Sequence, residues 1–239
     1  MATKTKTVWY CSSCGNESPK WMGRCPACGE WNTMVEAPVE PKAKSSSRQA
    51  GASVAANRKP VHLKDIDYSA EERISLGLEE VDRILGGGMV PGSLVLIAGE
   101  PGIGKSTLSL QIPLRCPSLN TLYVTGEESA KQVRMRAIRL GGDIDNCYIY
   151  PETLVENIIA EATELKPELM IVDSVQTMYT STLDSAPGSV SQIKEVAAAL
   201  LRFAKESGVP VILIGHITKD GFIAGPKILE HIVDVVLQF

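Results

Sequence analysis

A chain of 239 residues with 44% hydrophobic and 22% charged residues has room for one sizeable core and a small appendage, and it reads as soluble and globular. No run of about 18 apolar residues occurs and the N-terminus lacks the pattern of a secretory signal, which argues against membrane insertion or export and points to the cytoplasm. A net charge of −4 gives no global attraction to nucleic acid, so polyanion binding has to come from local basic surfaces.

Four of the six cysteines crowd into residues 11–28, as Cys11-Ser12-Ser13-Cys14 and Cys25-Pro26-Ala27-Cys28, two C-x-x-C pairs ten residues apart. Each pair sets two thiolates on one side of a tight loop. Two such loops face to face complete a tetrahedral sulfur shell for Zn2+, with Zn–S distances of about 2.3 Å. A finger over residues 1–36 cannot bury enough apolar surface to fold alone, and the metal supplies the missing stability. The competing reading, two disulfides, needs an oxidising compartment that nothing in the chain indicates. With no histidine or general base beside the four sulfurs, the zinc reads as structural. Trp9, Trp21, Trp31 and Tyr10 alternate with Lys20 and Arg24; they either pack the small core or stack on nucleic acid. Cys116 and Cys147 read as small buried hydrophobes.

Residues 37–64 contain Pro38, Pro41, Ser45-Ser46-Ser47 and little that can form a core, so they read as a flexible linker. Lys42, Lys44, Arg48, Arg58 and Lys59 make it basic; a solvated tether is the simpler reading, with phosphate contact as the other.

Over residues 65–239 short apolar runs alternate with helical stretches, which predicts an α/β domain with a mostly parallel sheet covered on both faces. The strand candidates are Leu94–Ala98, Thr121–Thr125, Cys147–Tyr150, Leu169–Val172, Val211–Ile214 and Ile232–Phe239. A long helix is predicted after Ser189, where Ser189 and Gln192 have the spacing of a capping box and Gly208 ends the apolar repeat. Pro113 is predicted to end or kink the helix that follows the first of these strands.

That first strand runs directly into Gly99-Glu100-Pro101-Gly102-Ile103-Gly104-Lys105-Ser106-Thr107. A glycine-rich turn between a strand and a helix points successive backbone N–H groups at phosphate oxygens, where side chains would obstruct the approach. Lys105 then serves the β and γ phosphates, and the Ser106 hydroxyl is placed to coordinate Mg2+. The pattern predicts a P-loop site for ATP or GTP.

In a parallel sheet ligands gather at the carboxyl ends of the strands. Asp173 closes the run Leu169–Val172 and reads as a second carboxylate organising Mg2+. Glu127 and Glu128 follow the strand Thr121–Thr125; one of them is placed to activate the water that attacks the γ phosphate, while its neighbour caps a helix beginning near Ser129 that exposes Lys131, Arg134, Arg136 and Arg139. Both glutamates are candidates, with Glu127 preferred. His216, after Val211–Gly215, is a candidate sensor of the γ phosphate or a packed polar residue. Residues 219–227, with Lys219 and Lys227 on either side of Gly221 and Gly225, read as a DNA-contacting or interface loop.

Taken together, the chain resembles the RadA (Sms) family of bacterial DNA repair proteins, which are RecA-superfamily ATPases. The matching elements are the four-cysteine finger with Trp21-Met22-Gly23-Arg24-Cys25-Pro26, the stretch Leu85 to Gly92, Gly126-Glu127-Glu128-Ser129, Val172 to Thr177, Gly188 to Gln192, and His216 through His231. The resemblance implies a RecA-like core, assembly as a hexameric ring around single-stranded DNA with ATP between subunits, and DNA-dependent ATP hydrolysis. It further implies branch migration of recombination intermediates beside a RecA-type recombinase. That family continues past residue 239 with a Lys-Asn-Arg-Phe-Gly motif and a Lon-protease-like domain. If that motif serves a neighbour's nucleotide, the 239-residue form is expected to bind ATP but to hydrolyse it poorly or assemble badly. Two other readings use the same residues: a non-catalytic zinc-finger module that binds nucleic acid with a nucleotide-driven switch, and a KaiC-like regulatory ATPase.

Overall fold

The computed structural model describes residues 7–11, 17–18, 20–26, 29–38, 61–65, 73–141, 145–216 and 229–239. The chain divides into two compact units, Met1–Glu71 and Glu72–Phe239.

In the first unit, β1 (Thr7–Cys11) pairs antiparallel with β2 (Glu17–Ser18) on one side and β3 (Met34–Pro38) on the other. The register sets Cys11 opposite Met34. Cys11, Cys25 and Met34 are buried together, with Trp9 packed against them. So small a core cannot stabilise a sheet by apolar burial alone. β3 runs two residues into the segment read as linker; of the rest of that segment only residues 61–64 are described, in and before a short 3-10 turn at Leu63–Asp65.

The second unit alternates strand and helix. In chain order it contains α1 (Glu79–Ile84), β4 (Leu94–Gly99), α2 (Lys105–Arg115), β5 (Thr121–Thr125), α3 (Ala130–Leu140) and β6 (Cys147–Pro151). Then follow α4 (Val155–Leu165), β7 (Leu169–Asp173), α5 (Val190–Ser207), β8 (Val211–His216) and β9 (Val235–Gln238). The strands form one sheet in the order β6-β5-β7-β8-β4-β9, with every neighbouring pair parallel. Alternate residues feed two cores. Leu96, Leu122, Val124, Met170, Val172 and Leu213 pack with the apolar faces of α4 and α5, whereas Val95, Ile97, Tyr123, Ile171, Ile212 and Ile214 pack with α2 and α3. Two-sided burial explains why these strands read as continuous apolar runs.

Three local expectations need correction. Helix α2 passes through Pro113 and ends only at Arg115. A proline in the last turn removes one helical N–H, and the terminal carbonyls find another donor: Asn146 Nδ2 reaches the carbonyls of Pro113, Cys116 and Leu119 at 3.0, 2.8 and 2.8 Å. Strand β9 begins at Val235, because residues 229–233 form a turn in which Ile232 and Val233 donate to the Leu229 carbonyl. Asp234 then fixes the strand's start, accepting from the Leu94 N–H at 2.8 Å and from Lys205 Nζ at 2.9 Å.

The third concerns α5. Ser189 accepts from the Gln192 N–H, as a cap should, but the Gln192 side chain does not return to the Ser189 backbone. It is buried, accepting from the Thr180 N–H at 2.8 Å and donating toward the carbonyls of Thr180, Leu183 and Ser185. One amide thus ties the 180–185 loop to α5. Gln192→Ala leaves a buried N–H without an acceptor and is expected to lower unfolding free energy by about 2 kcal/mol, read from the urea midpoint at unchanged slope.

Candidate nucleotide site

The turn that leaves β4 is open at its glycines. Gly102 and Gly104 have φ of +81° and +108°, the region that L side chains avoid, and a β carbon on either would meet nothing within 4 Å. Gly104 stands at the N-cap of α2 with no side-chain cap, so the first N–H groups of that helix and the positive end of its dipole are available to an anion. Glu100, Pro101 and Ile103 line the exposed rim, while Ser106 and Thr107 are half-buried in the first turn of α2. Lys105 is buried and donates from Nζ to the carbonyls of Gly99 and Glu100, both at 2.9 Å. Burial lowers its pKa, opposed by the negative charges of Asp173 and Glu127. An ammonium held by loop carbonyls and flanked by two carboxylates suits the β and γ phosphates.

Asp173 is the last residue of β7 and is buried. Its Oδ2 accepts from the hydroxyl of Tyr123 at 2.6 Å, while Oδ1 is buried without a partner among the described residues. That arrangement follows from register. Tyr123 lies opposite Ile171 and Thr125 opposite Asp173, so Tyr123 and Asp173 occupy the same face one diagonal step apart, within reach of a long side chain. The unpaired Oδ1, together with the Ser106 hydroxyl on α2, is a donor set suited to Mg2+. Tyr123 is fully buried, and burial together with the adjacent Asp173 pushes its phenol pKa well up, so it stays a donor. Tyr123→Phe is expected to raise the Mg2+ concentration for half-maximal nucleotide binding by on the order of tenfold, as loss of an orienting partner does. A titration of Mg2+ at fixed nucleotide reads this directly.

Glu127 and Glu128, adjacent in sequence, go to different partners. Glu127 Oε1 accepts from Ser174 Oγ at 2.6 Å and lies 3.2 Å from His216 Nε2. Glu128 Oε2 pairs with Arg136 Nη2 at 2.9 Å across one turn-and-helix step. Two details of the sequence reading change accordingly. Ser129, not a glutamate, caps α3, in a full capping box with Gln132. Arg136 is not an exposed base of α3; its side chain is only 13% exposed and is committed to Glu128. Gly126 admits no side chain, since a β carbon there would overlap Thr177 Oγ1, and this pins the turn that carries both glutamates.

His216 closes β8, the strand beside both β4 and β7. Its backbone carbonyl accepts from Gln176 Nε2 at 3.3 Å, and its Nδ1 is buried without a partner among the described residues. Lys105, Asp173, Glu127 and His216 therefore come from the carboxyl ends of four parallel strands. Tyr123, Ser174 and Gln176 take roles here that the sequence does not assign, and Arg136 takes a different one. A tyrosine inside a strand buried on both faces is the one that carried a signal, because its hydroxyl has to find a partner. The 219–227 loop lies outside the described residues.

In the first unit, Cys11 and Cys25 are both 1% exposed and share one small cluster, as two ligands of one metal would. Gly29, with φ of +77°, donates its N–H to the Cys25 carbonyl, and the Cys25 N–H donates to the Glu30 carbonyl. Cys14 and Cys28 lie outside the described residues. Cys116 and Cys147 are half-buried rather than fully buried. Burial pushes the Cys147 thiol up to about 12, and burial followed by the charge of Asp82 raises that of Cys116, so neither is an activated thiolate.

Residues 57–221 match the AAA domain family, and residues 9–36 match the rubredoxin metal binding domain family. The chain is 51% identical over 239 residues to the DNA repair protein RadA of Bacillus subtilis, covering 99% of this chain and 52% of that protein. It is 48% identical over 237 residues to the DNA repair protein RadA of Pseudomonas aeruginosa, with the same coverage. The chain thus spans about half the length of the curated relatives it matches. Among solved structures, a KaiC-like protein of Pyrococcus horikoshii superposes with a TM-score of 0.57 at 24% identity, covering 70% of this chain and 81% of that one. That likeness concerns the fold.

Proposed function

The chain belongs to the AAA domain family and is a homologue of the DNA repair proteins named RadA, and from that premise we propose that it hydrolyses ATP to ADP and phosphate in recombinational DNA repair, stimulated by single-stranded DNA. The observation that carries the reading is the convergence of Lys105, Asp173 and Glu127 where β4, β7 and β5 end.

The backbone N–H groups of residues 102–107 bind the phosphates. Lys105 moves from the loop carbonyls to the β and γ oxygens and stabilises the charge that develops on the transferred phosphoryl group. Magnesium, when bound, supplies further positive charge there, and Ser106 and Asp173 are the residues that would hold it. Glu127 orients the attacking water and takes its proton. Ser174 donates to Glu127 Oε1 and fixes which way the carboxylate points. His216, within reach of the same oxygen, senses the γ phosphate through Glu127 and passes its position to the segment after β8.

Four further properties are proposed from the resemblance to the RadA family and, for the metal, from the rubredoxin metal binding domain match. They are a homo-oligomeric, hexameric ring on single-stranded DNA, work on recombination intermediates beside a RecA-type recombinase, a structural zinc on Cys11, Cys14, Cys25 and Cys28, and a cytoplasmic location. Among the described residues no helix is long and apolar enough to cross a membrane.

The test is phosphate release from ATP, with and without single-stranded DNA, by this chain and by a form extended to the relatives' length. Turnover that rises with DNA and disappears in Lys105→Ala supports the reading. DNA binding that ignores nucleotide, with no phosphate release from either form, replaces it with a non-catalytic binding module.

A further inference from the structure

All three tryptophans of the chain lie in the N-terminal unit, at positions 9, 21 and 31. Only Trp9 packs on the small core; Trp21 and Trp31 are 54% and 69% exposed. Their purpose is therefore not core packing. The two indoles flank one residue without a side chain: a β carbon on Gly23 would sit 3.6 Å from Trp21 Cη2 and 3.9 Å from Trp31 Cε3.

The surface between the rings is fixed by its backbone. The Asn32 N–H donates to the Gly23 carbonyl at 2.8 Å, and Arg24 bridges to Trp31 as an antiparallel pair. Cations stand at the rim. The Arg24 guanidinium lies 5.9 Å from the Trp31 ring centroid with its Nε donating to the Gly29 carbonyl, and Lys20 is exposed beside Trp21.

Charge along the chain selects the kind of partner. Residues 1–64 hold ten Lys and Arg against four Asp and Glu, a net of +6; residues 65–239 hold fourteen against twenty-four, a net of −10. A polyanion is attracted to the first part and repelled by the second. Exposed aromatic faces set among cations are what single-stranded nucleic acid requires, because every base has a face to stack and every nucleotide a phosphate to neutralise.

We propose that Trp21 and Trp31, with Gly23 as the floor between them, stack bases of single-stranded nucleic acid while Arg24 and Lys20 pair with the flanking phosphates. This rests on the reading of the protein as a single-strand-responsive ATPase and names where the strand is held. Recognition is of base faces, so it tolerates sequence and excludes duplexes, whose bases are already stacked.

Because every tryptophan lies in this unit, tryptophan fluorescence, excited selectively over tyrosine, reports on it alone. Titration of the zinc-loaded chain with a 5′-labelled oligo(dT) of about 20 nucleotides, a length chosen to exceed one binding site, gives two readouts: label anisotropy for binding anywhere, and tryptophan quenching for stacking. The expected result is quenching in step with anisotropy, an affinity about tenfold weaker in the Trp21→Ala/Trp31→Ala variant, and recovery in Trp21→Phe/Trp31→Phe. Heparin, a polyanion without bases, should bind without the same quenching.

Anisotropy that rises without quenching, with equal affinity in the alanine and phenylalanine variants, overturns the platform and leaves DNA stimulation standing. Equal quenching by heparin overturns it in favour of charge alone. No rise in anisotropy removes both readings. If the alanine variant loses zinc, wild-type quenching decides: quenching by oligo(dT) that heparin does not reproduce supports stacking, and a rise in anisotropy without quenching contradicts it.

Discussion

Lys105→Ala is expected to lower ATP turnover by on the order of 10³-fold, the scale set by loss of a charge that stabilises the transferring phosphoryl group. The residue is 3% exposed, so its ammonium already sits in surroundings where an electrostatic interaction counts for more than in water. It also balances Asp173 and Glu127. Without it the phosphates meet two carboxylates and no fixed cation, and the carbonyls of Gly99 and Glu100 lose their shared donor. Binding and turnover should therefore fall together. A coupled phosphate-release assay gives the rate, and circular dichroism separates this from unfolding, since the sheet residues beneath the loop are untouched.

The second large effect separates two neighbours. Glu127→Gln keeps an oxygen for Ser174 to donate to but cannot take a proton, and it is expected to slow turnover by about 10²- to 10⁴-fold while nucleotide affinity stays within about threefold. Glu128→Gln acts elsewhere. It leaves Arg136, whose side chain is 13% exposed, with a neutral acceptor in place of its counter-charge, and weakens the attachment of the 126–128 turn to α3. Because Glu128 itself is 35% exposed, the loss is moderated by solvent, about 1–2 kcal/mol of stability with only a few-fold change in turnover. Rate and urea midpoint measured on both variants should therefore move in opposite proportion. Equal rate losses would mean that the two carboxylates share the water-activating role.

What could be seen in the sequence was what is local. The phosphate turn is a contiguous string whose glycines and lysine have to be where they are, and the strands announce themselves because burial on both faces keeps charged residues out of their interiors and leaves them mostly apolar. The fold followed from their alternation with helices, and the parallel six-stranded sheet agrees. What stayed hidden depends on partners distant in the chain. Nothing near residue 127 says which glutamate pairs with Ser174 and which with Arg136, two turns into the next helix. Tyr123 reaches Asp173 only through the register of β5 against β7. Gln192 has the spacing of a capping box, yet four bonds to the 180–185 loop outcompete the one it would make to its own cap. Pro113 reads as the end of a helix because its missing N–H leaves the Ser109 carbonyl without a helical donor; the helix runs two residues further, and Asn146, thirty-three residues on, satisfies the carbonyls at its end.

The turn between β4 and α2, with Asp173 beside it, is proposed as a magnesium-dependent ATP site. Equilibrium titration of a fluorescent ATP analogue, competed with unlabelled ATP, tests it most directly in wild type and Lys105→Ala, with Mg2+ and with Mg2+ chelated. Saturable binding to the wild type is expected, weakened at least tenfold both by chelation and by the substitution. Binding of equal strength in wild type and Lys105→Ala, indifferent to Mg2+, would mean that this turn does not hold the nucleotide's phosphates.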